Sequence, residues 1–344
     1  MTASTTTSDS GGNASDSGGN ASDSGGNASD SGGNTGVGGG NAGGGGNTGG
    51  GGGSTGDGGG GNTLAKFGRM VKFSHTVFAL PFALAAAALA ARDHGLSFWR
   101  LLAIVIAMAG ARTAAMGFNR IADRQFDARN PRTAGREIPA GVISLRAAWT
   151  LTLVATAVFV GAAAFLGPLC LALSPIALLF LFGYSFTKRF TFLCHLFLGL
   201  AIAAGPGGAW IAVRGDFAIT PALLMVAVAT WIGGFDILYA IADTDFDRKS
   251  GLHSIPARFG IVRALQISGI LHGITSGTLI ALAFSAQLGV PYLLGLMVVI
   301  ALLIWEHAIV TPDDLSRLDM AFFNLNGYVS VVFFLGTLAD VLLR

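Results

Sequence analysis

From about Phe73 onward the chain is a succession of apolar runs, each roughly 20 residues long, separated by short polar stretches. A helix of that length crosses the hydrocarbon core of a bilayer while satisfying its own backbone hydrogen bonds, which lipid cannot do for it. Composition agrees: 52% of the 344 residues are hydrophobic and 12% charged, with a mean hydropathy of +0.62. The charged share is about half that of an ordinary soluble domain. The pattern predicts an all-α, polytopic membrane helix bundle of nine transmembrane helices, at roughly 73–92, 98–118, 145–166, 168–187, 191–213, 219–241, 263–286, 291–310 and 319–342. Pro81 and Gly205-Pro206 fall inside these runs, which membrane helices tolerate. Cys170 and Cys194 lie in or beside apolar runs, so packing is expected of them and no disulfide framework.

Residues 1–62 differ in kind from the rest. A heptad, S-D-S-G-G-N-A, repeats from Ser8 to about Asn34 and gives way to a Gly/Asn tract. With no apolar positions it cannot form a coiled coil, and with nothing to bury it is expected to be a disordered Gly/Ser/Asn-rich tail. It lacks Lys and Arg and fits neither a signal nor a transit peptide. The membrane domain is assigned to 63–344. All 21 basic residues lie there with 14 of the 19 acids, a net of 21 − 14 = +7 that favours anionic partners. No nucleic-acid partner is expected.

Basic residues also set the orientation. Lys66, Arg69 and Lys72 precede the first span, Arg120, Arg124, Arg129, Arg132 and Arg136 follow the second, Lys188 and Arg189 the fourth, and Arg248, Lys249, Arg258 and Arg263 the sixth. With nine spans and a cytoplasmic N-terminus all of them are cytoplasmic, while loops such as 93–97 and 287–290 on the other side are short and nearly uncharged.

The same parity brings two polar clusters to one membrane face. Asn119, Asp123 and Asp127 stand at i, i+4, i+8 on one helical stripe, with Arg112 two turns deeper; Asp236, Tyr239, Asp243 and Asp247 follow i, i+3, i+7, i+11. Arg112 and Asp236 are ionisable groups within apolar spans and hence functional candidates. Hard oxygen donors suit Mg²⁺, which takes one or two carboxylates together with phosphate oxygens and water. Arg120, Arg124, Arg132, Arg136, Lys188 and Arg248 are placed around the carboxylates, so a metal-bridged diphosphate fits better than a bare cation. Ser144 and Ser254 read as helix caps, and His75, His195, His272 and His307 as interfacial or core residues. His253 lies within the second polar loop and is left open. Gly205, Gly207, Gly208 and Ala209 either widen a cavity or allow close helix contact, with contact the expectation.

These motifs resemble the UbiA superfamily of intramembrane aromatic prenyltransferases over about residues 66–344. The strings are R-T-A-A-M-G-F-N-R-I-A-D-R-Q-F-D-A-R-N-P-R-T-A-G-R (112–136), F-D-I-L-Y-A-I-A-D-T-D-F-D-R-K-S-G-L-H-S-I-P-A-R-F-G (235–260), K-F-S-H-T-V-F-A-L-P-F-A-L (72–84) and Y-S-F-T-K-R (184–189). The resemblance implies nine helices around a central cavity capped by cytosolic loops. It implies that Asn119, Asp123, Asp127, Asp236, Asp243 and Asp247 hold Mg²⁺ and the diphosphate of a polyprenyl donor, with the metal on Asp123, Asp127, Asp243 and Asp247. Arg136 and Lys188 would contact the diphosphate, with Tyr184 and Tyr239 beside the substrates and Arg112 facing an aromatic acid acceptor. The texture is closest to the 4-hydroxybenzoate polyprenyltransferase group of the bacterial inner membrane. A menaquinone branch acting on a dihydroxynaphthoate shares much of the wording. A secondary transporter and a phosphatidyl-alcohol transferase are the rivals from other classes. The polar residues gather on one face rather than at midplane, and over 100 residues part the clusters; both facts count against the rivals.

Overall fold

The structure is a computed structural model that describes residues 76–344, with side chains from residue 78 onward. Its helices are α1 (Thr76–Ala91), α2 (Phe98–Arg129), α3 (Leu145–Leu166), α4 (Pro168–Thr187), α5 (Cys194–Arg214), α6 (Ile219–Ala240), α7 (Thr244–Lys249), α8 (Ile255–Phe259), α9 (Ile261–Ser285), α10 (Val290–Ile309) and α11 (Asn326–Leu342). A 3₁₀ turn, Ile241–Asp243, joins α6 to α7, and a π-helical turn, Met320–Leu325, leads into α11. No strand occurs among the described residues. Eight segments are long and apolar enough to cross a membrane, and α1 is a shorter apolar helix at the expected first span. The tail, His75 and the basic residues before the first span lie outside the described residues.

Successive long helices pack as neighbours, and α11 returns to α1, which also lies against α5. Small residues make that return tight: Ala83, Ala85, Ala86, Ala87 and Ala90 of α1 are all fully buried. Gly295 of α10 and Gly336 of α11 face each other so closely that a Cβ on either would come within 3.1 Å of the other's Cα. Large apolar side chains such as Leu179, Phe284 and Ile304 stand exposed on the outside, as a lipid-facing surface requires.

Local sequence sets the ends. Ser97, Ser144 and Ser254 cap α2, α3 and α8 by accepting from the backbone N–H groups of Arg100, Ala147 and Ala257. Gly215 closes α5 at a φ of +75°, a conformation costly for any residue with a Cβ. Helix α2 does not stop with its apolar run near 118 but continues to Arg129, because Asn119, Asp123 and Asp127 project into a polar cavity instead of meeting lipid. The far ends of α2, α4 and α6 thereby meet at one end of the bundle.

Candidate active site

The polar cavity, about 310 Å³, is lined from both acidic clusters. On α2, Asn119 Nδ2 donates to Asp123 Oδ2 at 2.9 Å, the i, i+4 contact its spacing implies. On the α6–α7 side the 3₁₀ turn carries Asp243, and the first turns of α7 carry the fully buried Asp247. The loop after α2 then crosses between the clusters. Arg132 Nε donates to Asp243 Oδ1 at 2.9 Å, its second nitrogen pairs with Oδ2, and its third reaches the Tyr239 hydroxyl at 2.6 Å. Asn130 Nδ2 adds a bond to Asp243 Oδ1 at 3.0 Å.

Four of the five cavity carboxylates have a cation of their own, and Asp236 has a histidine. Arg136 meets Asp127 at 2.6 Å, Lys188 meets Asp247 at 2.9 Å, and Arg189 meets Asp123 at 3.3 Å. Asp236 Oδ2 takes a 2.7 Å bond from His195 Nδ1, while His195 Nε2 accepts from the Ile255 backbone N–H. That second bond fixes the tautomer: the ring proton sits on Nδ1 and points at Asp236. Burial alone would lower the pKa of Lys188 and Arg132, but the bond and charge of Asp247 and of Asp243 outweigh it and hold both above their ordinary values. Both groups therefore stay cationic through the physiological range.

A second, apolar cavity of about 540 Å³ lies against the first, between α2, α3, α4, α5 and α6. Arg112 and Tyr184 line both, so they mark the junction. Arg112 Nε is buried without a hydrogen-bond partner. Gly205, Gly207, Gly208 and Ala209 line this apolar space rather than only a helix contact, which corrects the expectation. A Cβ at Gly205 or Gly207 would meet the flexible side chains of Met108 or Met225, and one at Gly208 would find nothing within 4 Å.

Every site residue singled out from the sequence, Arg112, Asn119, Asp123, Asp127, Arg136, Tyr184, Lys188, Asp236, Tyr239, Asp243 and Asp247, lines the polar cavity. Two flanking arginines do not. Arg124 turns back to the Ile121 carbonyl on its own helix, and Arg248 staples the Ala257 and Pro256 carbonyls. His195, read as interfacial or core, is buried and also holds a cavity carboxylate; no local spacing links it to Asp236, 41 positions away. Arg189, read only for orientation, is the cation that meets Asp123. His253 has an exposed side chain and contributes its backbone, donating to the Lys188 carbonyl at 2.7 Å. Ser254 caps α8 as expected and also donates to Asp247 Oδ2 at 2.8 Å.

A Mg²⁺ ion fits this donor set. Asp127 Oδ2 and Asp247 Oδ1 are buried carboxylate oxygens without a hydrogen-bond partner. Among the described residues no three His, Cys, Asp or Glu side chains converge to chelate an ion by themselves. Coordination completed by phosphate oxygens and water is how Mg²⁺ is ordinarily held.

Fold and site together define a membrane-embedded transferase with a charged compartment opening onto an apolar one. The model of the UbiA prenyltransferase family matches residues 79–328, and the chain belongs to that family. It is a prenyltransferase. A relative from Pseudomonas aeruginosa (strain LESB58), named 4-hydroxybenzoate octaprenyltransferase, is 33% identical over 244 residues, covering 71% of this chain and 82% of the relative. The apo structure of a UbiA homolog from Aeropyrum pernix K1 superposes with a TM-score of 0.72 at 34% identity, covering 77% of this chain and 98% of that one. A UbiA homolog from Archaeoglobus fulgidus, bound to DMAPP and Mg²⁺, shares the fold with a TM-score of 0.58 at 20% identity, covering 78% of this chain and 99% of that one.

Proposed function

We propose that the protein transfers a polyprenyl group from a polyprenyl diphosphate to an aromatic acid, 4-hydroxybenzoate in the first instance, and releases diphosphate. The observation that carries this is the junction at Arg112 and Tyr184 between a base-lined polar cavity and a large apolar one. The diphosphate occupies the first and the isoprenoid chain the second. The name of the Pseudomonas relative supports the acceptor.

Asp123, Asp127, Asp243 and Asp247 would hold Mg²⁺, as the bound ion in the Archaeoglobus homolog supports. When bound, the ion neutralises charge on the leaving diphosphate. The protein supplies the rest. Arg132, Arg136, Lys188 and Arg189 turn from their carboxylates toward phosphate oxygens and stabilise the charge that grows as the C–O bond breaks. The allylic cation that remains would be trapped by water, and the apolar wall keeps water out. Arg112, at the junction, takes the acceptor carboxylate and turns the hydroxyl-activated ring so that the carbon ortho to the hydroxyl faces the cation. The new C–C bond forms there, and the ring proton passes to the released diphosphate, to water or to Asp236.

The polar compartment is assigned to the cytoplasmic face of an inner (plasma) membrane on the basis of the basic loops. Residues 63–344 are assigned as the membrane-embedded prenyltransferase domain, with the tail before it dispensable for activity. The test is prenyl transfer by the purified protein with Mg²⁺, a polyprenyl diphosphate and 4-hydroxybenzoate in competition with a dihydroxynaphthoate, read by product mass. Prenylated 4-hydroxybenzoate as the main product is expected. A prenylated naphthoate would move the protein to the menaquinone branch, and no transfer to either would overturn the reading.

A further inference from the structure

Behind Phe322, which lines the polar cavity, lies a second polar cluster that the transfer chemistry does not use. Asn326, fully buried where the π-helical turn becomes α11, uses its amide three ways. Nδ2 donates to Glu306 Oε1 of α10 at 2.8 Å and to the Ala321 carbonyl at 3.0 Å, while Oδ1 accepts from Trp231 Nε1 of α6 at 2.7 Å. Glu306 and Trp231 are also fully buried. A buried Glu–Asn–Trp chain at membrane depth is expensive, and three helices are tied together through one side chain. π-Helical turns of this kind occur frequently at functional sites.

The turn so held presents Phe322 to the cavity. Its ring stacks on Tyr239, centroids 4.1 Å apart and planes at 23°. Tyr239 lies eight residues beyond Trp231 on α6, two turns along the same face. Tyr239 also meets Arg132, whose guanidinium carbon sits 4.7 Å from the ring centroid while its nitrogen bonds the hydroxyl. Arg132 in turn grips both oxygens of Asp243. The phenol is thus packed against a clamped turn and braces a diphosphate-site arginine.

We propose that Asn326 and Glu306 are positioning residues: by clamping the Met320–Leu325 turn they press Phe322 on Tyr239 and so set Arg132 for the diphosphate. This rests on the reading of Arg132 and Asp243 as groups of the diphosphate site. It gives Tyr239 a structural task toward the donor and none toward the aromatic acceptor.

The test is binding of inorganic diphosphate with Mg²⁺ to the full-length protein by calorimetry, alongside turnover. Phe322→Leu leaves the clamp intact and removes the stacked ring; it should weaken diphosphate binding about three- to tenfold and leave the acceptor KM unchanged. In an Arg132→Ala background the same change should add nothing, because the two act in series. Glu306→Leu should reproduce the loss and Glu306→Gln, which keeps an acceptor for the Asn326 amide, should restore most of it. Equal losses from Phe322→Leu in both backgrounds, or no loss in either, would overturn the proposal whatever Glu306→Leu does to folding. A wild-type protein that binds no diphosphate and transfers no prenyl group would instead bring down the underlying reading, and this inference with it.

Discussion

Replacing Arg112 by Met tests the acceptor site most directly. The guanidinium stands at the junction of the two cavities, within a membrane helix, with its Nε unpartnered. A charge-assisted bond from such a group to a carboxylate is worth about 1.5–3 kcal/mol. The acceptor KM should therefore rise about 10- to 150-fold. The apolar surroundings on one side favour the upper half of that range, because water cannot replace the lost partner there. The fold should survive, since Met fills the stem's volume and no internal ion pair is broken; melting in detergent should move little. The decisive assay compares two acceptors at saturating polyprenyl diphosphate: 4-hydroxybenzoate and the corresponding phenol without its carboxylate. Wild type should discriminate strongly in favour of the acid, and Arg112→Met should nearly erase that preference while leaving the phenol's own constants unchanged. A variant that loses the same factor on both acceptors would refute the reasoning, because the arginine would then serve something other than the carboxylate.

Asp123→Ala and Asp243→Ala should each abolish turnover while expression and membrane insertion stay normal, and chelation with EDTA should do the same to wild type until Mg²⁺ is returned; substantial Mg²⁺-dependent turnover in both variants would sink the metal assignment. Lys188→Met leaves Asp247, whose side chain is 1% exposed, without its cation. Breaking a buried pair costs about 3–5 kcal/mol, reduced here to about 1–3 because the lysine side chain is 32% exposed. Arg189→Met, at the more open pair with Asp123, should cost about 1 kcal/mol or less; equal melting shifts in detergent for the two variants would contradict this ranking. Gly208→Phe places a ring in open apolar space. It should shift the preferred donor toward shorter isoprenoids in a competition of chain lengths, and an unchanged product profile would show that the chain runs elsewhere.

What was legible in the sequence was what repeats locally. Asn119, Asp123 and Asp127 announce a shared face through i, i+4 spacing, and the nine apolar runs announce their helices by length alone. Pairings made across the fold leave no such mark. Arg132 reaches Asp243 over 111 positions, and in the sequence it is indistinguishable from Arg124, which turns away to its own backbone. His195 looked like any other histidine near an apolar run, and only the meeting of α5 with α6 gives it Asp236. The π-helical turn at Met320–Leu325 was equally hidden, because the bonds of Asn326 to Glu306 and Trp231 that hold it come from distant helices.

The one-to-one pairing of carboxylates with cations in the polar cavity has a thermodynamic consequence. Arg132 with Asp243, Arg136 with Asp127, Lys188 with Asp247 and Arg189 with Asp123 make a compartment that is close to self-neutral. A diphosphate arriving alone would draw the cations away and strand four acids; a metal ion arriving alone would do the converse. On the proposed function, the two arriving together would exchange partners with both sets at once, so each would raise the other's affinity by the same factor. The site would then be an exchanger that discriminates against half-loaded states, and a donor lacking its ion would gain little foothold from which to ionise.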